Sequence, residues 1–142
     1  MTSPPSTVVV NSVDPVDWAI IMVAKPNVLL CGDESFVDGM LAALLPHCLL
    51  PIQTLPAQFG RLSSFSPTGT ILLPHVTTYN KEQQQALVTW LKRDGGMVQL
   101  VSTADSSIAD RVDRGEFLAE LFYCLNVVYL DLGCPPDHAK SN

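Results

Sequence analysis

Four short apolar runs, Val28 to Cys31, Gly69 to Leu73, Met97 to Val101 and Val127 to Leu132, recur along the chain with helical stripes between them. A continuous apolar run of this length reads as a strand buried on both faces, and such strands occur in parallel sheets covered by helices. Parallel neighbours cannot be joined by a tight hairpin and need a crossover, usually a helix. The alternation therefore restricts the chain to an α/β domain, a mainly parallel sheet with helices on both faces.

Local signals place the elements. Asp14 before Pro15 reads as a helix N-cap with proline at the first position, and the helix runs to Ala24, where Lys25, Pro26 and Asn27 break it. After the first strand, Gly32 to Ser35 reads as a polar turn. Phe36, Val37, Met40, Leu41, Leu44 and Leu45 then form a helical stripe ended by Pro46. Leu49 to Thr54 offers a second strand, and Pro51 assigns it to a sheet edge. Leu55 to Thr68 reads as loop. Asn80 caps a helix from Lys81 to Arg93 that turns Ala86, Leu87, Trp90 and Leu91 inward and ends at Gly95 and Gly96. Ser106 or Ser107 caps a short helical turn, and Glu116 to Asn126 reads as a last helix. Residues 11–133 form one domain between tails at 1–10 and 134–142.

Composition narrows the function. A chain of 142 residues that is 47% hydrophobic buries a real core in one domain. Only 15% of residues are charged and the net charge is −6, a field that repels phosphate backbones and argues against direct nucleic-acid binding. The run from Trp18 to Ala24 is far too short for a bilayer core of about 30 Å, so no membrane contact and a cytoplasmic location are expected. Cys31, Cys48, Cys124 and Cys134 form no CxxC pair and read as buried free thiols. His47, His75 and His138 are isolated from one another, and no metal site is expected.

From Asn27 to Leu132 the chain resembles the AAA+ P-loop ATPase core of sigma-54-dependent transcription activators. The family's GTLFLDEI strand, VIAATN strand and GxFREDLYYRLNV segment read here as GTILLPHV, MVQLVSTAD and GEFLAELFYCLNV. Gly115, Phe117, Leu121, Tyr123, Leu125, Asn126 and Val127 match in order. More loosely, Val28-Leu29-Leu30 and the segment GDESFVDG from Gly32 align with the strand and GESGTGKE phosphate loop. The resemblance implies a three-layer P-loop NTPase-like fold, here lacking the helical lid and the GAFTGA-type loop that grips the sigma factor.

Departures from the family pattern decide the functional expectation. Asp38 stands where the phosphate-loop lysine belongs, and Pro74 and His75 stand where the family's acidic pair holds Mg²⁺. Thr103 matches the sensor threonine, but Ala104 replaces its asparagine. The family's two arginines, which stabilise transferred charge across a subunit boundary, fall on Leu118 and Cys124. Arginine in that role is worth about 10³ to 10⁵ in rate. The expectation is a pseudo-ATPase: not an enzyme, without ATP, Mg²⁺ or other cofactor, acting as a regulatory or protein-interaction module. Its partner would be a sigma-54 activator or another regulatory protein, and a homodimer is compatible with the sequence. Retained Phe117, Leu121, Tyr123, Leu125 and Asn126 are expected to pack or cap.

Two alternatives stay open. In one, the former phosphate-loop crevice, with Gly32, Asp33, Glu34, Ser35, Asp38, His75 and Thr103, binds a small ligand or nucleotide. In the other, acidic Asp33 and Glu34 after the first strand belong to a receiver-type signalling domain.

Overall fold

The computed structural model describes residues 14–56, 59, 62 and 65–135; the expected N-terminal tail and all but the first two residues of the C-terminal one lie outside them. Helix α1 (Pro15–Ala24) begins as its sequence dictates, with the Asp14 carboxylate accepting from Val16 N at 2.8 Å. Lys25 ends it in the left-handed conformation. Strand β1 (Val28–Gly32) is buried throughout. It is followed by α2 (Glu34–Leu44), a 3₁₀ turn over Leu45–His47, β2 (Ile52–Thr54), β3 (Thr68–Leu73) and a second 3₁₀ turn over Val76–Thr78. The rest is α3 (Lys81–Asp94), β4 (Met97–Ala104), α4 (Ile108–Asp113), α5 (Ala119–Leu125) and β5 (Val128–Leu132).

The strands form one five-stranded sheet in the order β2-β3-β4-β1-β5, every ladder parallel. Strand β2 is an edge, as Pro51 foretells, and β1 lies between β4 and β5. A receiver-type domain would instead have the order 2-1-3-4-5. The receiver alternative is thereby excluded.

Period-two alternation along β1 splits the core into two layers. Val28 and Leu30 pack with Ile21 of α1 and Val37, Met40 and Leu44 of α2. Leu29 and Cys31 face the opposite way, with Leu87, Val88 and Trp90 of α3, Ile108 of α4 and Leu121 and Leu125 of α5. Polar side chains close the amino ends of the strands. Gln99 donates to Pro26 O at 2.9 Å and accepts from Thr70 Oγ1 at 3.3 Å, while Asn27 donates to Cys124 O and accepts from Leu100 N, each at 2.8 Å. Buried amides are stable only with such partners.

Three sequence expectations are corrected. Helix α2 starts at Glu34, not Phe36, because Asp33 caps it directly by accepting from Ser35 N. Helix α5 starts at Ala119, not Glu116, because the buried Gln84 amide accepts from Leu118 N at 2.8 Å and donates to Glu116 O at 3.3 Å, holding that segment out of the helix. Cys31 and Cys134 are not free thiols; they are joined by a disulfide. They lie 103 residues apart, and only the pairing of β1 with β5 brings their Cα atoms to 4.9 Å. Cys134 and Pro135, assigned by sequence to the tail, are thus tied to the domain, Pro135 O accepting from Ser107 N at 3.0 Å.

Candidate functional site

Open α/β sheets bind ligands at the carboxyl ends of their strands. Here the ends of β1, β3 and β4 surround a crevice of about 150 Å³ lined by Gly32, Glu34, Asp38, Pro74, His75, Thr103, Ala104 and Asp105. Of the residues expected from sequence, it brings together Gly32, Glu34, Asp38, His75 and Thr103. Asp33 and Ser35 are not in its lining; they engage each other, Ser35 Oγ donating to Asp33 Oδ2 at 2.6 Å. Asp105 was missed, although it directly follows Thr103 and Ala104, which stand at the aligned sensor positions. Its carboxylate accepts from Thr77 Oγ1 at 3.2 Å. Three carboxylates and one imidazole therefore face the crevice, and among the described residues no lysine or arginine lines it.

The segment aligned with the phosphate loop is not a loop. A single residue, Asp33, separates β1 from α2, and Val37 N already donates to Asp33 O at 2.9 Å. A phosphate cradle needs successive backbone N–H groups turned inward by non-helical conformations. In this chain the N–H groups from Val37 onward belong to the helix ladder, and Asp38 projects from its second turn.

His75 sits in the left-handed region at φ 53, ψ 53, its N–H donating to Thr103 Oγ1 at 2.9 Å and its carbonyl accepting from Thr78 N. That conformation costs an L-residue roughly 1–2 kcal/mol, against about 0.5–1 kcal/mol of extra entropy lost when glycine is ordered. His75→Gly is accordingly expected to stabilise the domain by about 0.5–1 kcal/mol in urea unfolding, since the exposed imidazole contributes little packing. A loss of stability would mean that the ring makes a contact that outweighs the strain.

Helix α5 and its N-cap carry the positions aligned with the family's arginines. Leu118 and Cys124 are both half-buried, and burial, with Glu120 adding, pushes the Cys124 thiol above its usual range while Lys92 partly opposes it. Phe117, Leu121 and Leu125 are buried in the core as expected. Tyr123 departs from that expectation: it is 72% exposed, with Val127 59% exposed nearby in sequence. A helix that presents one face to the sheet must turn the residue two positions after Leu121 outward.

The fold has solved counterparts. It is similar to NtrX from Brucella abortus in complex with ADP and with ATP, each at a TM-score of 0.58 and 15% identity. Those matches cover 94% and 93% of this chain and 36% of each NtrX chain. A further NtrX structure from that organism gives a TM-score of 0.53 at 16% identity, over 81% of this chain and 34% of that one. The chain thus spans about a third of NtrX, and at such identities the likeness speaks for the fold alone. No curated protein matches it in sequence. The sigma-54 interaction domain model, however, matches residues 22–134, which is most of the chain. With the strand order, the β-strand motifs and this match in agreement, the chain belongs to the sigma-54 interaction domain family and is a transcription-activator-related AAA+ domain with a P-loop NTPase fold.

Proposed function

We propose that this domain is a pseudo-ATPase, a non-catalytic AAA+ module that binds another protein in transcription regulation. The carrying observation is the crevice where a triphosphate would lie: Glu34, Asp38 and Asp105 line it, no cationic side chain among the described residues does, and its volume is about 150 Å³. Pockets for drug-sized ligands span roughly 300–1,000 Å³. A triphosphate would meet carboxylates at close range, with no lysine among the described lining residues to offset them. ATP, ADP and Mg²⁺ are therefore not cofactors in this reading, although two of the NtrX structures are complexes with ADP and ATP.

The partner in this reading is a sigma-54 activator or a related regulator, met through the α5 surface. Tyr123 and Val127 match the family sequence yet are exposed, so packing within this domain does not account for them. Next to them, Leu118 and Cys124 replace the arginines that would complete a neighbour's active site. A core of this kind would bind beside an intact one without completing its catalytic centre. A cytoplasmic location fits this role, and among the described residues no helix is long and apolar enough to cross a membrane.

Isothermal titration with ATP and ADP, with and without Mg²⁺, is expected to give no saturable heat up to millimolar ligand. Added to the ATPase core of a sigma-54 activator, the domain is expected to change its turnover, and Tyr123→Ala is expected to reduce that change at least about tenfold, as losing an exposed aromatic anchor does. Micromolar nucleotide binding would overturn the pseudo-ATPase reading in favour of a ligand-binding crevice.

A further inference from the structure

We propose that Cys31 and Cys134 form a reversible redox modification site, a clasp that takes low-molecular-weight disulfides and thiols as co-reactants and holds or frees the segment after β5. The two sulfurs differ in access. Cys31 is 1% exposed near the end of the interior strand β1, whereas Cys134 is half-buried in the turn that follows the edge strand β5. A thiolate in solution therefore reaches the clasp at Cys134.

The backbone presents Cys134 to Cys31 independently of the covalent bond. Asp131 Oδ1 accepts from Gly133 N at 3.1 Å and from Cys134 N at 2.7 Å, and Gly133 bridges back to Gly32. Ser107 N donates to Pro135 O just beyond. The resulting Cα separation of 4.9 Å lies inside the range of about 4.4–6.8 Å that a disulfide requires. Opening is accommodated too, because a cavity of about 230 Å³ borders Cys31 between Leu29, Phe122 and Tyr129, so the freed thiols can part without displacing core atoms. The other cysteines are elsewhere: Cys48 packs in the opposite core layer and Cys124 lies on α5.

In oxidation, the Cys134 thiolate attacks one sulfur of glutathione disulfide and expels a glutathione thiolate. The Cys31 thiolate then attacks the Cys134 sulfur of the mixed disulfide and expels the second. Two electrons pass to glutathione disulfide, and the two protein thiol protons end on the two glutathiones. Reduction retraces these steps, beginning at Cys134. Disulfides in reducing compartments are usually transient or redox-sensing, not static staples. Among the described residues β5 is laddered only to β1, so the clasp decides how firmly its carboxyl end is held. Gly32, next to Cys31, lines the acidic crevice.

The test is to equilibrate the full chain in glutathione buffers from strongly reducing to strongly oxidising, quench with acid, alkylate under denaturing conditions and map the labels by mass spectrometry. The expected result is one transition from four alkylated cysteines to two, with the Cys31 and Cys134 peptides linked. Closing so long a loop should raise the Tm of the oxidised form by ~10 °C. On reduction, amide protection in β5 should fall by ~10-fold or more while that of β3 holds. Cys134→Ser should melt like the reduced wild type and ignore the buffer; if that variant does not fold, the wild-type titration decides alone. A link that persists at the most reducing ratio, a link that never forms at the most oxidising one, or a Tm equal in both forms would overturn the proposal.

Discussion

Gly69→Ala is expected to destabilise the domain by about 3–4 kcal/mol, among the largest effects of any single methyl group in it. Gly69 lies at φ 91, a region closed to L side chains without strain. A Cβ there would overlap the Pro51 carbonyl oxygen and lie 2.8 Å from Pro51 N and Cδ. All three obstacles belong to a rigid residue, so no side chain can swing aside. Relief would require β2 to move away from β3, breaking the hydrogen bond from Thr70 N to Pro51 O at 2.9 Å. Equilibrium urea unfolding checks this, with Gly96→Ala as the control. A Cβ at Gly96 meets nothing within 4 Å, and that substitution should cost less than about 0.5 kcal/mol. Equal effects at both positions would refute the steric account.

Gln84→Met is expected to cost about 3 kcal/mol although it adds hydrophobicity to a buried site. Gln84 is 1% exposed and makes a three-way connection: its amide nitrogen donates to Tyr79 O at 3.0 Å and Glu116 O at 3.3 Å, and its oxygen accepts from Leu118 N at 2.8 Å. A thioether fills the volume but cannot satisfy the Leu118 N–H or the Tyr79 carbonyl, and each buried group left without a partner costs about 1–3 kcal/mol. Because this amide also sets where α5 begins, the variant should lose order in residues 116–119 before global unfolding, readable as faster amide exchange there. Gln85→Met, on the exposed side of the same helix, should be nearly neutral. A neutral Gln84→Met would mean that α5 starts at Ala119 for some other reason.

Gly69 and Gln84 differ in how far each was legible beforehand. Gly69 stood out in the sequence as the first residue of the GT motif, but the reason for a glycine there became visible only when β2 was laid against β3. Gln84 is an ordinary polar residue on a helix read as amphipathic, and no periodicity distinguishes it from Gln83 or Gln85. Its role depends on a segment more than thirty residues later being folded back onto it.

The crevice divides in the same way. Asp38, His75 and Thr103 were identified from sequence because each occupies a motif position, and the fold does bring them together with Gly32 and Glu34. Asp33 and Ser35 were grouped with them as part of the segment aligned with the phosphate loop, and local capping chemistry took both out of the lining. Asp105 was overlooked because it lies one step beyond the aligned sensor positions. That the aligned phosphate-loop segment is helical also escaped the reading, since Glu34 to Gly39 contains nothing that forbids either state and the choice rests on a single cap at Asp33.

What the sequence by itself determined is what short-range physics controls: which runs are buried strands, that helices start at Asp14, at Asn80 and at Ser106 or Ser107, and which residue types stand at the aligned motif positions. Burial on both faces, capping and charge identity are written within a few residues of one another, so they can be read one segment at a time. The tertiary structure alone decided the strand order, the late start of α5, the outward turn of Tyr123 and the joining of Cys31 to Cys134. Each of these depends on contacts between segments far apart in the chain, and no local pattern encodes which distant partner will be there to make them.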